Sequence, residues 1–274
     1  MTQPPHLPLT GRRSIHTAPA ITLVLAAVLA MFTPGRPHAT GADTACGNRE
    51  FEGTRYTVCS FDAGTPGLRL HWQNDDGAPY RSFSALASAI ADEGRVLRFA
   101  MNAGMYDTDF RPMGLYVENG TELRPANTVP PETLGRPVPN FYKQPNGVFY
   151  FGREGAGILP TAAFIATRPL ADFATQSGPM LIIEGDLNPI FIEGSRDRTR
   201  RSGVGVCEGD HVRFAISEGS VNFHDFARLF RDELGCQNAL FLDGGRGVGL
   251  YDPELGRNDF SWHGGFGPMI GLTD

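Results

Sequence analysis

Polar side chains at the ends of apolar runs are the residues of this sequence best placed for chemistry, because the end of a strand holds a side chain in a fixed position. The first is Asn102, which follows the apolar Phe99–Met101 and precedes the small Gly104. An Asn can donate hydrogen bonds to a sugar or a phosphate, and accept them, without carrying charge. Asp107 follows in a turn-rich stretch, and an Asx-type turn between two strands is the alternative interpretation of the segment.

A second polar group, Gln176-Ser177-Gly178, comes just before the apolar run Met180–Ile183. Backbone N–H groups beside a glycine, together with a Ser hydroxyl, can form a concave site for an oxyanion. The local pattern taken alone favours an ordinary turn instead.

Four arginines form the third group: Arg196, Arg198, Arg200 and Arg201 lie directly before a Gly-rich apolar run. A solvated charge cluster is the usual explanation of such a group. Arg201 differs from the others because it stands at the boundary of a predicted strand. A fixed guanidinium there matches the bidentate geometry of a phosphate or a carboxylate.

Asp243 is the fourth candidate, since it ends the apolar run Ala239–Leu242 and is followed by Gly244 and Gly245. Glycines let a ligand approach the backbone closely. An Asp held at this point can act as a base, a nucleophile or an acceptor that orients a ligand. The alternative interpretation is an Asp-Gly turn.

Several common catalytic and metal-binding motifs are missing from the sequence. His211, His224 and His263 lack the spacing of a zinc motif, and we expect them to be structural or solvated. Neither a Gly-x-Ser-x-Gly elbow nor a P-loop occurs. We therefore expect no metal site and no cofactor, although a single structural divalent cation stays open. The formal net charge of −6 excludes the basic excess that attracts nucleic acid, so no nucleic-acid partner is expected.

Hydrophobic periodicity predicts the elements that must position these residues. Strands are predicted over residues 96–101, 114–118, 147–151, 163–167, 180–183, 203–206, 211–216 and 239–242, with a hairpin turn at 208–210. Helices are predicted over 82–91 and 222–234, the second with Asn222 as its N-cap and Gly235 at its end. Many strands, few helices and no regular alternation predict an α+β fold with mixed or antiparallel sheets, in a single domain over residues 46–274.

The N-terminus has the composition of a secretory signal peptide, predicted over residues 1–40. Arg12 and Arg13 precede the apolar run 18–32, and small residues follow at 39–42. This order of charge, apolar run and small residues is typical of such signals. The run is shorter than the roughly 20 residues that span a bilayer; a retained anchor and a twin-arginine signal are the alternatives. We expect export to the periplasm or the extracellular space, without stable membrane insertion after cleavage.

Four cysteines, Cys46, Cys59, Cys207 and Cys236, lie in the part predicted to be exported. An even number in an exported chain indicates disulfides rather than a metal site. Proximity in sequence favours the pairing of Cys46 with Cys59 and of Cys207 with Cys236, while all three connectivities stay open.

The motifs around these residues, in this order, resemble the phosphodiester glycosidase family. They are FAMNAGMY, PMGLYVENG, QPNGVFYF, TQSGPMLI, RSGVGV and FAISEGSVNFHDFARLFRDELGCQNALFLDGG, and the resemblance extends from about Phe99 to the C-terminus. The family includes the animal enzyme that uncovers mannose-6-phosphate by removing N-acetylglucosamine, and many bacterial exported proteins. The resemblance implies a hydrolase that cleaves the glycosidic bond of a sugar-1-phosphodiester.

The resemblance also implies where the active-site region lies. Its residues would be Asn102, Gly104, Gln176, Ser177, Gly178, Arg201, Asp243, Gly244 and Gly245. The chain departs from the family pattern where Arg246-Gly247-Val248 replaces small hydroxyl residues, so Arg246 stands where a phosphate-binding Ser or Thr is common. A milder departure is Ser202-Gly203, where Thr-Ala is common.

The roles follow from the chemistry of an oxocarbenium-like transition state with a departing phosphate. We assign Arg201 to the phosphate with Arg246 as a helper, and Asp243 as base or nucleophile. Asn102 and Gln176 would orient the sugar hydroxyls. Glu218 and Asp107 are the reserve carboxylates.

Two alternatives belong to other classes of function. A non-catalytic module that binds a cell-envelope glycan or a phosphorylated polymer would need Asn102 and Arg201 but not the carboxylate of Asp243. A phosphodiesterase that cuts the P–O bond generally relies on metal pairs, and we rank it last because no His-rich or Asp-rich cluster occurs.

Overall fold

Antiparallel sheets dominate the regular secondary structure of residues 45–208 and 210–274, the part of the chain that the computed structural model describes. The predicted signal peptide, residues 1–40, lies outside this part. The largest sheet has seven strands. In spatial order they are β1 (Ala45–Phe51), β2 (Thr54–Asp62), β13 (His211–Ser217), β12 (Arg201–Cys207), β14 (Cys236–Gly244), β10 (Met180–Ile183) and β11 (Asp186–Leu187).

Two five-stranded sheets complete the strands of the described residues. One has the order β16 (Arg257–Asn258), β15 (Leu250–Asp252), β4 (Leu97–Asn102), β17 (Met269–Thr273) and β3 (Leu68–His71). The other has the order β6 (Thr121–Arg124), β5 (Tyr116–Glu118), β9 (Phe173–Ser177), β7 (Gly147–Gly152) and β8 (Gly155–Pro160).

Aromatic side chains from all three sheets meet in one buried cluster. Phe214 of β13 lies with its ring centroid 5.7 Å from that of Phe99 in β4 and 6.0 Å from that of Phe149 in β7. All three are 1% exposed or less. One face of the seven-stranded sheet therefore packs against both smaller sheets, and the burial of these rings is a main source of the stability of the fold.

The opposite face of the seven-stranded sheet is covered by α3 (Phe223–Arg228) and the π-helical turn Leu229–Glu233 that continues it. Asn222 is the N-cap, and its side chain accepts a 2.8 Å hydrogen bond from the N–H of Asp225. The chain leaves this helical segment through Gly235, whose φ of +64° favours glycine. The helix predicted over 222–234, its N-cap and its end are thus confirmed.

Two further α-helices of the described residues are α1 (Phe83–Asp92) and α2 (Thr161–Thr167), and 3-10 turns lie at Pro131–Thr133, Asn140–Tyr142 and Gly245–Gly247. The first confirms the helix predicted over 82–91. The second contradicts the strand predicted over 163–167. A short apolar run does not distinguish a strand from a helix. Here Pro160 precedes the first turn, and Phe164 packs against Tyr150 with ring centroids 5.4 Å apart.

The fold class is α+β, as predicted, and each strand pair found in the described residues is antiparallel. β12 and β13 pair with Cys207 opposite His211, so the chain reverses between them as the hairpin prediction requires. Among the described helices, none has the length and apolar character that a membrane span requires.

Two disulfides connect neighbouring strands of the seven-stranded sheet. Cys46 is bonded to Cys59 across β1 and β2, and Cys207 to Cys236 across β12 and β14. The favoured pairing is therefore confirmed. Two disulfides are consistent with an exported protein.

Candidate active site

Asn102 ends β4 and is 1% exposed. Its Nδ2 donates a 2.8 Å hydrogen bond to the hydroxyl of Ser202, and its Oδ1 accepts a 3.2 Å bond from the N–H of Gly249. The side chain thus joins β4 to β12 and to the segment that leads into β15. Its orientation is fixed because both polar atoms are bonded within the protein.

Ser202 continues this connection to Asp243. The Ser202 hydroxyl donates to the carbonyl of Asp243 at 3.1 Å and accepts from its N–H at 3.2 Å. Ser202 lies opposite Asp243 while Gly203 lies opposite Phe241, so Leu242 is the extra residue of a β-bulge. Bulges change the direction of a neighbouring side chain and are frequent beside active sites. The sequence did not indicate this role of Ser202.

The Asp243 carboxylate is partly buried at the end of β14. Its Oδ1 accepts a 2.7 Å hydrogen bond from the N–H of Gly244. Burial raises the pKa of Asp243 to about 6, and the bond from Gly244 offsets only part of this effect. Gly247 lies against Oδ2, where any Cβ would collide with it. The glycine therefore keeps space open around the carboxylate.

A pocket of about 350 Å³ opens in front of Asp243, and its lining includes Met105, Tyr106, Asp107, Phe110 and His263. Asp107 and Asp243 are thus two carboxylates in one pocket. The Oδ1 of Asp107 accepts from the N–H groups of Asp109 and Arg111, both at 2.9 Å. The Asx-type turn considered for this segment is therefore present, and it holds Asp107 in the lining.

Tyr106 and His263 belong to this pocket although the sequence did not single out either for chemistry. The Tyr106 hydroxyl donates a 2.9 Å hydrogen bond to the carbonyl of Gly265. Burial, with a smaller effect from the charge of Asp243, raises the pKa of Tyr106 to about 12. His263 was expected to be structural or solvated; its side chain is exposed, as that expectation allows, and it also contributes to the lining of this pocket. Tyr106 stands four residues after Asn102, so its place near the site could have been predicted from the sequence.

Arg201 lies on the other face of the sheet. Alternation along β12 puts Ser202 toward Asn102 and Arg201 toward α3, where Arg201 lies with its Cζ 3.6 Å from the ring centroid of Phe223. Its Nε donates to the carbonyl of Val221 at 2.9 Å, and Asp197 forms an ion pair at 3.6 Å. Arg201 is 1% exposed, and burial lowers its pKa to about 10. It does not belong to the lining of the Asp243 pocket.

A second pocket, of about 420 Å³, lies beside Arg201, and Lys143, Asp197 and Phe223 contribute to its lining. The Lys143 Nζ is 5.3 Å from the ring centroid of Phe223, so two cations share this ring. Burial lowers the pKa of Lys143, with Asp197 opposing this effect and Arg201 adding to it. Met105 of the Asp243 pocket packs against the buried cluster that contains Phe223.

The polar group at 176–178 has a positioning role in this structure. Gln176 is 1% exposed; its Oε1 accepts from the N–H groups of Leu115 and Asn127, and its Nε2 donates to the Asn127 carbonyl. The Ser177 hydroxyl donates to the carbonyl of Leu242 at 2.9 Å, which holds the bulge. A Cβ at Gly178 would collide with Asn146. These polar side-chain atoms are engaged within the protein, and none of the three residues contributes to the Asp243 pocket.

Glu218 lies in a separate polar pocket of about 540 Å³. Arg257 donates to Glu218 and to Asp259, and Arg200 is 3.8 Å from Glu218 and 3.9 Å from Asp259. Two cations and two carboxylates thus form one network, and Glu218 is not a neighbour of Asp243 in the same pocket.

Three glycines named from the sequence allow close packing of the backbone. A Cβ at Gly104 would lie 2.5 Å from the carbonyl oxygen of Gln176. Gly244 packs against Phe241, and Gly245 has a φ of +64° and donates its N–H to the carbonyl of Arg200 at 2.8 Å. Arg246 follows them in the 3-10 turn Gly245–Gly247 with an exposed side chain.

No group of three or more His, Cys, Asp or Glu is placed to hold a metal ion within residues 45–208 and 210–274. The pocket in front of Asp243 offers two carboxylates, a phenol and an imidazole as its chemical groups. The prediction that the protein needs no cofactor stays a prediction.

Comparisons with known proteins agree on one family. The sequence pattern described as phosphodiester glycosidase matches residues 96–269. The uncharacterized protein YigE of Escherichia coli (strain K12) is 34% identical over 180 residues, which cover 66% of this chain and 68% of YigE.

Solved structures share the fold at low sequence identity. The zebrafish N-acetylglucosamine-1-phosphodiester alpha-N-acetylglucosaminidase catalytic domain, auto-inhibited by its pro-peptide, superposes with a TM-score of 0.59 at 12% identity, covering 86% of this chain and 85% of that one. A hypothetical protein from Synechocystis gives a TM-score of 0.51 at 15% identity, covering 83% of this chain and 61% of that one. The family pattern spans more than half of the sequence and the motifs lie at the strand ends described above, so this chain belongs to the phosphodiester glycosidase family.

Proposed function

We propose that this protein is an exported hydrolase that cleaves the glycosidic bond of a sugar-1-phosphodiester, of the N-acetylglucosamine-1-phosphodiester type, to free sugar and a phosphomonoester. The observation that carries the proposal is the Asp243 carboxylate. It faces a pocket that also contains Asp107, and its pKa of about 6 suits proton transfer near neutral pH.

The reaction needs one bond to form and one to break at the anomeric carbon. Water, or Asp243 itself, attacks that carbon while its bond to the phosphate oxygen breaks, and the phosphate leaves with the electron pair. If water attacks directly, Asp243 accepts the water proton. If Asp243 attacks, water hydrolyses the glycosyl-enzyme in a second step. Asp107 is the second carboxylate available in the pocket.

Positive charge near the leaving phosphate lowers the barrier, because negative charge develops on the phosphate as the bond breaks. From the sequence, Arg201 was assigned to this phosphate, but Arg201 packs on Phe223 at the opposite face of the sheet, and neither Arg201 nor Lys143 belongs to the lining of the Asp243 pocket. The Nε and one terminal nitrogen of Arg201 donate to the carbonyls of Val221 and Asp197, so these groups are engaged within the protein. Asn102 acts by holding Ser202, and through it Asp243.

The test is proton and phosphorus NMR of the purified protein with N-acetylglucosamine-α-1-phosphodiesters. We expect free sugar and phosphomonoester, and the first anomer to appear reports whether the reaction inverts or retains configuration. Asp243→Asn should reduce turnover by about 100-fold to 10,000-fold, the usual contribution of a positioned acid or base. Glu218→Gln is the matched control carboxylate and should keep turnover within about threefold.

Two results would redirect the proposal. Release of sugar-1-phosphate moves the cut to the P–O bond and removes the glycosidase mechanism. Saturable binding without turnover across a panel of such diesters favours the non-catalytic glycan-binding or phosphopolymer-binding module.

A further inference from the structure

Two aromatic rings stand exposed on the segment that leads from β16 to β17. Phe260 and Trp262 expose 62% and 69% of their surfaces. Their ring centroids are 4.6 Å apart and the planes are inclined by 57°. Large aromatic side chains are usually buried, so an adjacent exposed pair indicates a surface that meets something other than water.

The residues around Trp262 connect this pair to the Asp243 pocket. His263, the next residue, belongs to the pocket lining. Tyr106, also in that lining, donates its hydroxyl to the carbonyl of Gly265. The segment therefore contacts the pocket directly after Trp262, so the backbone that carries the exposed rings is one residue from the lining.

This segment is also fixed in place. Arg81 donates to the carbonyl of Gly264 at 2.8 Å and lies with its Cζ 4.2 Å from the ring centroid of Phe110, another residue of the pocket. The N–H of Phe266 donates to the carbonyl of Arg81 at 2.8 Å. Rings held on a fixed segment lose little entropy when they bind a ligand.

We propose that Phe260 and Trp262 bind a second sugar ring, attached to the sugar that occupies the Asp243 pocket. The inference rests on the proposed function and deepens it, because the substrate then carries an oligosaccharide or the end of a glycan chain. A pyranose ring has an apolar C–H face that packs on an aromatic ring, while its hydroxyls need polar partners such as Asp107 and His263. Aromatic rings beside carboxylates match both needs of a carbohydrate.

The two tryptophans of the chain make a direct binding test available. Trp72 is 6% exposed and Trp262 is 69% exposed, so a ligand-induced change in emission or in acrylamide quenching reports on Trp262. We expect chitotriose, cellotriose or both to protect Trp262 from quenching in a saturable way. N-acetylglucosamine alone should bind at least tenfold more weakly.

Variants then test the contribution of the ring. In calorimetry, Trp262→Ala should weaken trisaccharide binding at least tenfold, and Trp262→Phe should restore most of it. Leu170→Ala removes another exposed apolar side chain, 76% exposed, and should leave binding unchanged. On phosphodiesters, Trp262→Ala should raise KM for a disaccharide-1-phosphodiester and leave kcat, and KM for the monosaccharide diester, within about twofold.

Trisaccharides that leave emission and quenching unchanged would overturn this inference, as would full affinity in Trp262→Ala. A blue shift of Trp262 with phosphatidylglycerol vesicles and none with oligosaccharides would assign the rings to a lipid surface instead. The binding test needs no turnover. Oligosaccharide binding without cleavage of any diester would therefore refute the proposed function alone, and cleavage without binding at Trp262 would refute this inference alone.

Discussion

At the scale of single residues, Asp243 combines burial with one strong hydrogen bond. The Asp243 carboxylate accepts one hydrogen bond from the N–H of Gly244 and has lost part of its contact with water. Its charged form is therefore less stable than it would be in solution. Its pKa of about 6 makes it a stronger base than an ordinary Asp while leaving it ionised at neutral pH.

The pH dependence of turnover follows from this value. If ionised Asp243 is the base or nucleophile, kcat/KM on the N-acetylglucosamine diester should rise about tenfold per pH unit below pH 6 and level off above it. Steady-state rates between pH 4.5 and 8 measure this profile. A profile that is flat across pH 6 would contradict the role of Asp243.

The pH dependence of stability gives a second prediction. Folding raises the pKa of Asp243 and lowers the pKa of His71, and these two shifts change the free energy of unfolding in opposite directions with pH. The pKa of Asp243 rises to about 6 on folding, so the folded state holds the extra proton and this group destabilises it as pH rises from about 4 to 6. Burial, aided by Arg69 and Arg95, lowers the pKa of His71 to about 4. Below about pH 6.5 the unfolded state therefore holds the extra proton, and stability is lost as pH falls toward 4.

Replacing either residue should remove its own contribution to the pH dependence of the free energy of unfolding and leave the contribution of the other. Asp243→Asn should raise the free energy of unfolding at pH 7.5, on the order of 1–3 kcal/mol, and by less at pH 4.5. In the wild type, His71 should cost the folded state a similar free energy as pH falls from 6.5 to 4.5, and His71→Leu should abolish this loss of stability. Denaturant unfolding at both pH values, with the disulfides intact, measures these differences. Parallel curves for the wild type and both variants would contradict the assignment.

At the scale of elements, the site depends on hydrogen bonds between strands of different sheets. Asn102 of β4 donates to Ser202 of β12, and Ser202 in turn bonds the backbone of Asp243 in β14. The bulge at Leu242 is also held by the hydroxyl of Ser177. The position of the carboxylate is therefore set by side chains from three other points in the chain.

Removal of the Ser202 hydroxyl should disturb both stability and activity. Ser202→Ala leaves the buried Nδ2 of Asn102 without its 2.8 Å acceptor, which should cost about 1–3 kcal/mol. Activity should fall at least tenfold because the backbone at Asp243 loses two hydrogen bonds. Ser202→Thr keeps the hydroxyl and should restore most of the activity. Ser84→Ala, which removes an exposed acceptor of Asn258, is the control for unfolding and should stay within about 0.5 kcal/mol of the wild type. Wild-type turnover by Ser202→Ala would rule out this positioning role.

At the scale of the whole molecule, three sheets converge on one core and two disulfides close strand pairs of the largest sheet. The bond from Cys207 to Cys236 spans 29 residues, and the bond from Cys46 to Cys59 spans 13. The longer loop encloses β13, which pairs with β12 in the sheet, and α3, which covers one face of that sheet.

The two disulfides should therefore differ in their contribution to stability. Replacing Cys207 and Cys236 by Ala should lower the free energy of unfolding by about 2–4 kcal/mol. The Cys46 and Cys59 double variant should lose about 0.6 kcal/mol less, because its loop is roughly half as long. Guanidinium unfolding of both double variants measures the difference. A larger loss in the Cys46 and Cys59 variant would show that loop entropy does not dominate.

Local patterns were enough for much of this molecule. The period of the apolar residues predicted α1 and the helical segment that starts at Asn222, and the amide of Asn222 is the cap that the sequence indicated. The apolar runs before Asn102 and Asp243 predicted strand ends, and Cys proximity favoured the correct disulfides. These features depend on neighbours within a few residues or on adjacent strands, so the sequence carries them directly.

Only the tertiary structure decided which residues meet. Ser202 lies 100 positions from Asn102, with which it shares a hydrogen bond, and no spacing indicated that contact. His263 lies 20 positions from Asp243 and lines the same pocket, which no spacing indicated either. Arg201 and Asp243 were both expected to line one active-site region, yet alternation along β12 turns Arg201 toward α3 and away from the Asp243 pocket. Which face a strand presents to the core depends on the sheets that pack against it. Packing between segments that are distant in the sequence decides this orientation, and local sequence patterns do not show it.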